Sequence, residues 1–153
     1  MKKLVAILCV VAMMIMAVSA FAAPSASSTV TVYVDGAAVE VERVDPADIA
    51  DADVKKAVEA VNEEGGVTPE EVATILEGAD SAQAAAVKNY SFTSQFQKID
   101  VAGETDIEIE GTTADTLLMF IDADGNLIII APNADGTFTI PGPGLFAVID
   151  PTP

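Results

Sequence analysis

The chain has 153 residues, and its 24 acidic side chains against seven Lys or Arg give a formal charge of −17. It contains no histidine, and its single cysteine, Cys9, falls in an apolar run near the amino end. A mature protein without that run has no Ser-His or Cys-His nucleophile pair, no histidine general base and no His/Cys zinc or copper site. The charge repels phosphate backbones and anionic lipid, so nucleic acid is not an expected partner, while cations or basic partners suit it.

Residues 1–22 have the three parts of a secretory signal: Lys2 and Lys3, an apolar run from Leu4 to Val18, and a small-x-small site at Ala20-Phe21-Ala22. The competing reading is an uncleaved anchor, because apolar residues continue to Ala23 and approach the roughly 20 that span a bilayer. Small residues followed by Pro24 favour cleavage, and Leu8 before Cys9 is too bulky for a lipid-attachment pattern. Cutting after Ala22 leaves 131 residues and a formal charge of −19, since two lysines and no acid are lost. A chain of that size folds on burial alone, without disulfides. The expected location is secreted or cell-surface, with membrane contact only through the signal segment if it stays uncleaved.

Residues 23–28 are small and polar, a linker. In 29–44 Val30, Val32 and Val34 alternate with Thr29, Thr31 and Tyr33. Asp35-Gly36 suits a two-residue hairpin turn, whose central positions both need positive φ. That turn predicts Val34 opposite Ala37, Val32 opposite Val39 and Val30 opposite Val41, with the valines on one face. Asp45-Pro46 ends the strand, and a helical period follows: Asp53 is the expected cap, with Val54, Ala57, Val58 and Val61 on one side. Gly65-Gly66 stops it. Thr68-Pro69-Glu70-Glu71 opens a second helix with a capping hydroxyl, proline at the first position and Glu three residues after the cap. An alanine-rich piece at 81–88 predicts a further short helix. The helices are expected as an antiparallel pair on the hairpin sheet.

From Asn89 onward β-branched and aromatic residues dominate, predicting strands at 91–98, 106–110, 116–121, 127–131, 137–140 and 145–149. Ile107 and Ile109 alternate with Asp106, Glu108 and Glu110, the pattern of an outer strand with one dry face. The runs 117–121 and 127–130 are apolar on both faces, which predicts central strands covered on both sides. Pro141 and Pro143 cannot donate ladder hydrogen bonds and belong in a connection. Phe92, Phe96, Phe120, Phe138 and Phe146 fall at strand intervals and read as core. The predicted class is α+β: a β-hairpin plus helical subdomain at 29–88, then a small antiparallel Ig-like β-sandwich at 89–150.

The Ig-like part of that expectation comes from a resemblance. The closing TFTIPGPGLFAVID is similar to the end of immunoglobulin-like repeats at the carboxyl end of exported Gram-positive bacterial proteins. There a Thr/Phe-rich strand, a Ser/Pro/Gly corner and a Phe-Ala-Val-type strand follow one another. LLMFIDADGNLIIIAPNADGTFT resembles their preceding hairpin, with its Asp-Gly turns. The resemblance covers 89–150 and lacks the His and Trp that often mark the middle hairpin. It implies a surface or binding module of unassigned activity.

Two acidic groups bear on metal binding. Asp122, Asp124 and Asn126 alternate as in the first half of a calcium loop, but Gly125 comes fourth instead of sixth and LIII follows where ligands should continue. A hairpin corner explains them better. Asp45, Asp48, Asp51 and Asp53 read as caps and solvated loop. No catalytic, cofactor-binding or metal-binding residue is therefore assigned, and no cofactor is expected. The expected function is an exported, non-enzymatic binding module, surface-associated or released, engaging an unknown protein or glycan at the cell surface. Two alternatives remain open: a carboxylate-based enzyme acting on glycans, and a structural subunit of a surface assembly built by strand addition.

Overall fold

The computed structural model describes residues 30–78 and 80–152; the expected signal segment, 1–22, and linker, 23–28, lie outside them. Strands β1 (Val32–Val34) and β2 (Ala37–Val39) form the expected hairpin, with Val32 opposite Val39 and Val34 opposite Ala37. Asp35 and Gly36 both take positive φ, 52° and 82°, as the two-residue turn requires. The third expected pair, Val30 with Val41, is not part of the ladder. The chain leaves this sheet after β2 and forms β3 (Glu42–Arg43) in another, pairing with β5 (Gln97–Ile99).

Asp45 caps a single 3-10 turn, Pro46–Asp48, and helix α1 (Ala52–Glu59) follows. Its cap is Asp51 and not Asp53: Asp51 Oδ1 accepts from the amides of Asp53 (2.9 Å) and Val54 (3.1 Å). The helix begins at Ala52, which places Asp53 inside the first turn, where its charge suits the amino-terminal dipole. α1 widens at Ala60–Glu64, where the Gly65 amide bonds the Ala60 carbonyl. Helix α2 (Pro69–Glu77) carries the complete capping box: the Glu71 amide donates to Thr68 Oγ1 and the Thr68 amide to Glu71 Oε2. The alanine-rich piece forms α3 (Ala82–Ala86), capped by Ser81.

The remaining strands are β4 (Tyr90–Phe92), β6 (Thr105–Ile109), β7 (Leu117–Asp122), β8 (Leu127–Ile130), β9 (Phe138–Ile140) and β10 (Gly144–Pro151). A four-stranded sheet has the order β2-β1-β6-β9; a six-stranded sheet runs β3-β5-β10-β7-β8, with β4 also on β10. All the pairings are antiparallel. The protein is thus mostly antiparallel β, two facing sheets with a few short helices, within an α+β class. The expected strand at 91–98 is broken in two. At the break the buried Ser94 hydroxyl accepts the Val148 amide at 2.9 Å, doing what a strand carbonyl would otherwise do.

β7 and β10 serve two cores at once. Leu118, Phe120, Phe146 and Val148 face the four-stranded sheet and meet Val32, Ile107, Ile109, Phe138 and Ile140. Met119, Ile121, Ala147 and Ile149 face the helices and meet Val54, Ala57, Val58, Val72, Ala73 and Ala84. The expectation of a central, doubly covered strand holds for β7. β8 is covered on both faces too, but it is an edge strand of the six-stranded sheet. The helices do not lie on the hairpin sheet. They cover the opposite side of the six-stranded sheet, because the hairpin valines are already used against β6, β7 and β10. The boundary expected at 88/89 therefore separates elements that share both cores.

Candidate functional site

Two surface regions gather some of the polar residues singled out by the sequence; Asp45, Asp48 and Asp53 line neither. The first is a cleft of about 380 Å³ where the start of α1, the β7–β8 corner and the corner before β10 meet. Ile49, Val54, Ile121 and Leu145 form its apolar walls, and Asp51, Asp122, Asp124 and Lys98 its polar rim. It joins Asp51 of one acidic group to the DADGN corner of the other. Gly125, at φ +86°, sits so close that a Cβ there would lie 3.3 Å from Asp51 Oδ2.

The carboxylates of this cleft already have structural work. Asp122 Oδ1 accepts from the amides of Asp124 (3.0 Å) and Asn126 (2.8 Å), while its carbonyl accepts from Gly125. That is the side-chain-supported corner expected of an Asp-rich hairpin. Asp51 holds α1 through the two amides described above. Among the described residues, no group of three or more His, Cys, Asp or Glu side chains is placed to hold a metal ion.

The second region is the outer face of the four-stranded sheet, opposite the face that meets the core. Because β6 alternates, Ile107 and Ile109 are buried and Asp106, Glu108 and Glu110 are exposed. Tyr33 stands opposite Glu108 in the ladder, so both project from the same face, and its hydroxyl donates to Glu110 Oε2 at 3.4 Å. Thr139 stands opposite Asp106 and donates to its Oδ1. Glu108 and Glu110 also line an open groove of about 670 Å³ that reaches Asp135, with no Lys or Arg among its lining residues. The Thr137 hydroxyl (2.7 Å) and amide (3.0 Å) both donate to Asp135 Oδ1. These bonds, the hydroxyl's first, hold the Asp135 carboxyl below the usual aspartate range.

The alternation of β6 marked its acidic side in the sequence. What the sequence did not reveal is that Tyr33 and Asp135 join it, since one comes from the amino-terminal hairpin and the other from a distant loop. The residues of the first cleft were equally scattered, and Lys98 carried no signal at all. The phenylalanines are no part of either region: Phe92, Phe96, Phe120, Phe138 and Phe146 are all buried. No protein-family model matches the chain, and searches of curated proteins and of solved structures return no match either.

Proposed function

We propose that the mature chain is an exported, non-enzymatic interaction module with an Ig-like sandwich as its scaffold, acting at the cell surface or after release. The observation that carries this reading is the acidic face formed by Tyr33, Asp106, Glu108 and Glu110 and extended through the groove to Asp135. Fixed on a rigid sheet, these carboxylates suit a basic region of a protein partner at the cell surface, and a tyrosine among them supplies contact area at low entropic cost. The signal-like residues 1–22 support export, and the absence of His and of Cys after Cys9 supports a non-catalytic role. Carboxylate catalysis needs a general acid kept protonated, usually by burial. Among the described residues no Asp or Glu is buried, and the cleft's Asp51 and Asp122 are committed to backbone amides.

The test is capture from washed cells and from secreted fractions with the mature chain, with and without calcium, beside a Glu108→Lys/Glu110→Lys variant. The expected result is a partner retained by the unaltered chain, released by added salt, and lost in the variant. Equal capture by both chains would remove the acidic face from the reading. Recovery of the native protein only from the cytoplasm would remove export.

A further inference from the structure

β8 is an edge of the six-stranded sheet and, among the described residues, the most apolar strand, Leu127-Ile128-Ile129-Ile130. In its ladder with β7 the Asn126 carbonyl accepts the Asp122 amide, so by antiparallel alternation Leu127 and Ile129 turn their peptide groups outward. Outward-facing groups on an apolar edge are a template for another strand. Here they are occupied by a side chain. Gln83 Nε2 donates to the Leu127 carbonyl at 2.8 Å, and Gln83 Oε1 accepts the Ile129 amide at 2.9 Å. One primary amide thereby makes the two-bond bracket that a single residue of a neighbouring parallel strand would make.

The bracket is itself held in place. Glu77, at the end of α2, accepts from Gln83 Nε2 with both carboxylate oxygens at 3.0 Å, and Ser81 Oγ donates to Glu77 at 2.7 Å. Ser81 also caps α3, the five-residue helix that carries Gln83. A helix so short has no stability of its own and depends on its packing. Closing the edge therefore rests on side-chain contacts at one helix junction and not on a paired strand.

We infer that Gln83 is an edge guard that keeps β8 from pairing with β8 of a second copy of this chain. A second copy fits for two reasons. The strand carries no charged side chain, so its own residues add nothing to the repulsion between two acidic chains. A two-fold axis at Ile128 sets Leu127 opposite Ile129 of the second copy, and both residues face outward, so the pairing closes with backbone hydrogen bonds on each side of the axis. This inference is independent of what the acidic face binds.

Sedimentation velocity over a concentration series on the mature chain, 23–153, tests it, with far-UV circular dichroism as the check on folding. The unaltered chain is expected to stay monomeric. Gln83→Ala, and Gln83→Met, which keeps the length of the stem, are expected to form a concentration-dependent dimer. Adding Ile129→Pro to Gln83→Met removes the outward N–H and is expected to restore the monomer. In dilute Gln83→Met the Ile129 amide should exchange about tenfold faster, the equivalent of one net hydrogen bond. A dimer of the unaltered chain, folded variants that stay monomeric, or a dimer that survives Ile129→Pro would each overturn the guard. So would loss of the folded spectrum in both Gln83 variants, because Gln83 would then be a folding contact.

Discussion

The two faces of the six-stranded sheet are packed by different means. Toward the four-stranded sheet, large side chains from both sheets interdigitate, with Phe120, Phe138, Phe146, Ile107 and Ile140 all fully buried. Toward the helices the filling is mainly Val and Ala: Val54, Ala57, Val58, Val61, Val72, Ala73, Ala84 and Val87. Small residues let helices sit close, but the backbone beneath them is interrupted at the Ser94 break and at the turn after β3. Buried polar side chains complete it. Asn62 Nδ2 donates to the carbonyls of Val44 (3.0 Å) and Phe96 (3.1 Å), and its Oδ1 accepts the Phe96 amide at 2.8 Å. Both layers bury apolar volume; the helical one also joins irregular backbone through directional bonds. Regular strands satisfy their own peptide groups, so only the irregular side needs such help.

The contrast is sharpest at Phe120. Phe120→Ala removes a fully buried ring between the sheets and is expected to cost about 3–5 kcal/mol in urea unfolding. A loss under about 1 kcal/mol would mean that this layer tolerates voids and the contrast is wrong. Asn62→Ala probes the other layer: three bonds to buried backbone are lost, and the expected cost is about 2–4 kcal/mol, although little apolar area changes. Amide exchange should then quicken first at Phe96 and along α1, with β7 still protected. Uniform exchange across both layers would show that they open as one unit.

Farther from either core the expected effects shrink. Thr68→Ala breaks the capping box of α2 and should cost about 1 kcal/mol, read as a lower midpoint at unchanged denaturant slope. The smallest effect lies on the exposed acidic face. Thr137→Val removes the hydroxyl bonded to Asp135 and should raise the Asp135 carboxyl toward its ordinary range, seen by NMR titration. The sign is that of a depressed acid. The stability contributed by Asp135 is present above the ordinary aspartate range and is lost as pH falls through it and on to the lowered value, and in Thr137→Val that loss is smaller.

Much of the local architecture was legible because its causes are local. Asp35-Gly36 admits one hairpin register, Thr68 to Glu71 satisfy each other within one helical turn, and Asp122 bonds amides two and four residues on. Counting alone favours a hairpin corner at DADGN, and Asp122 forms its side-chain support. The cap of α1 was misplaced by two residues, since Asp51 and Asp53 are the same residue type and only the helix start distinguishes them. The break at Ser94 was not legible, because its hydroxyl replaces a bond to β10, 54 residues away. The acidic side of β6 could be read from alternation, but the tyrosine and the loop that complete the face could not.

By itself, then, the sequence determined the turns, the capping box of α2, the two-sided apolar character of β7 and the exclusion of histidine and thiol chemistry after the signal-like segment. Period and turn chemistry act over a few residues, where neighbours in the chain are neighbours in space. The tertiary structure decided which sheet each strand joins. The amino-terminal hairpin completes the sheet of β6 and β9, the helices take the far side, and β8 becomes an edge closed by a glutamine. An alternating strand advertises that one face must be buried. It does not say against what, because any apolar face of the right size removes the same area from water.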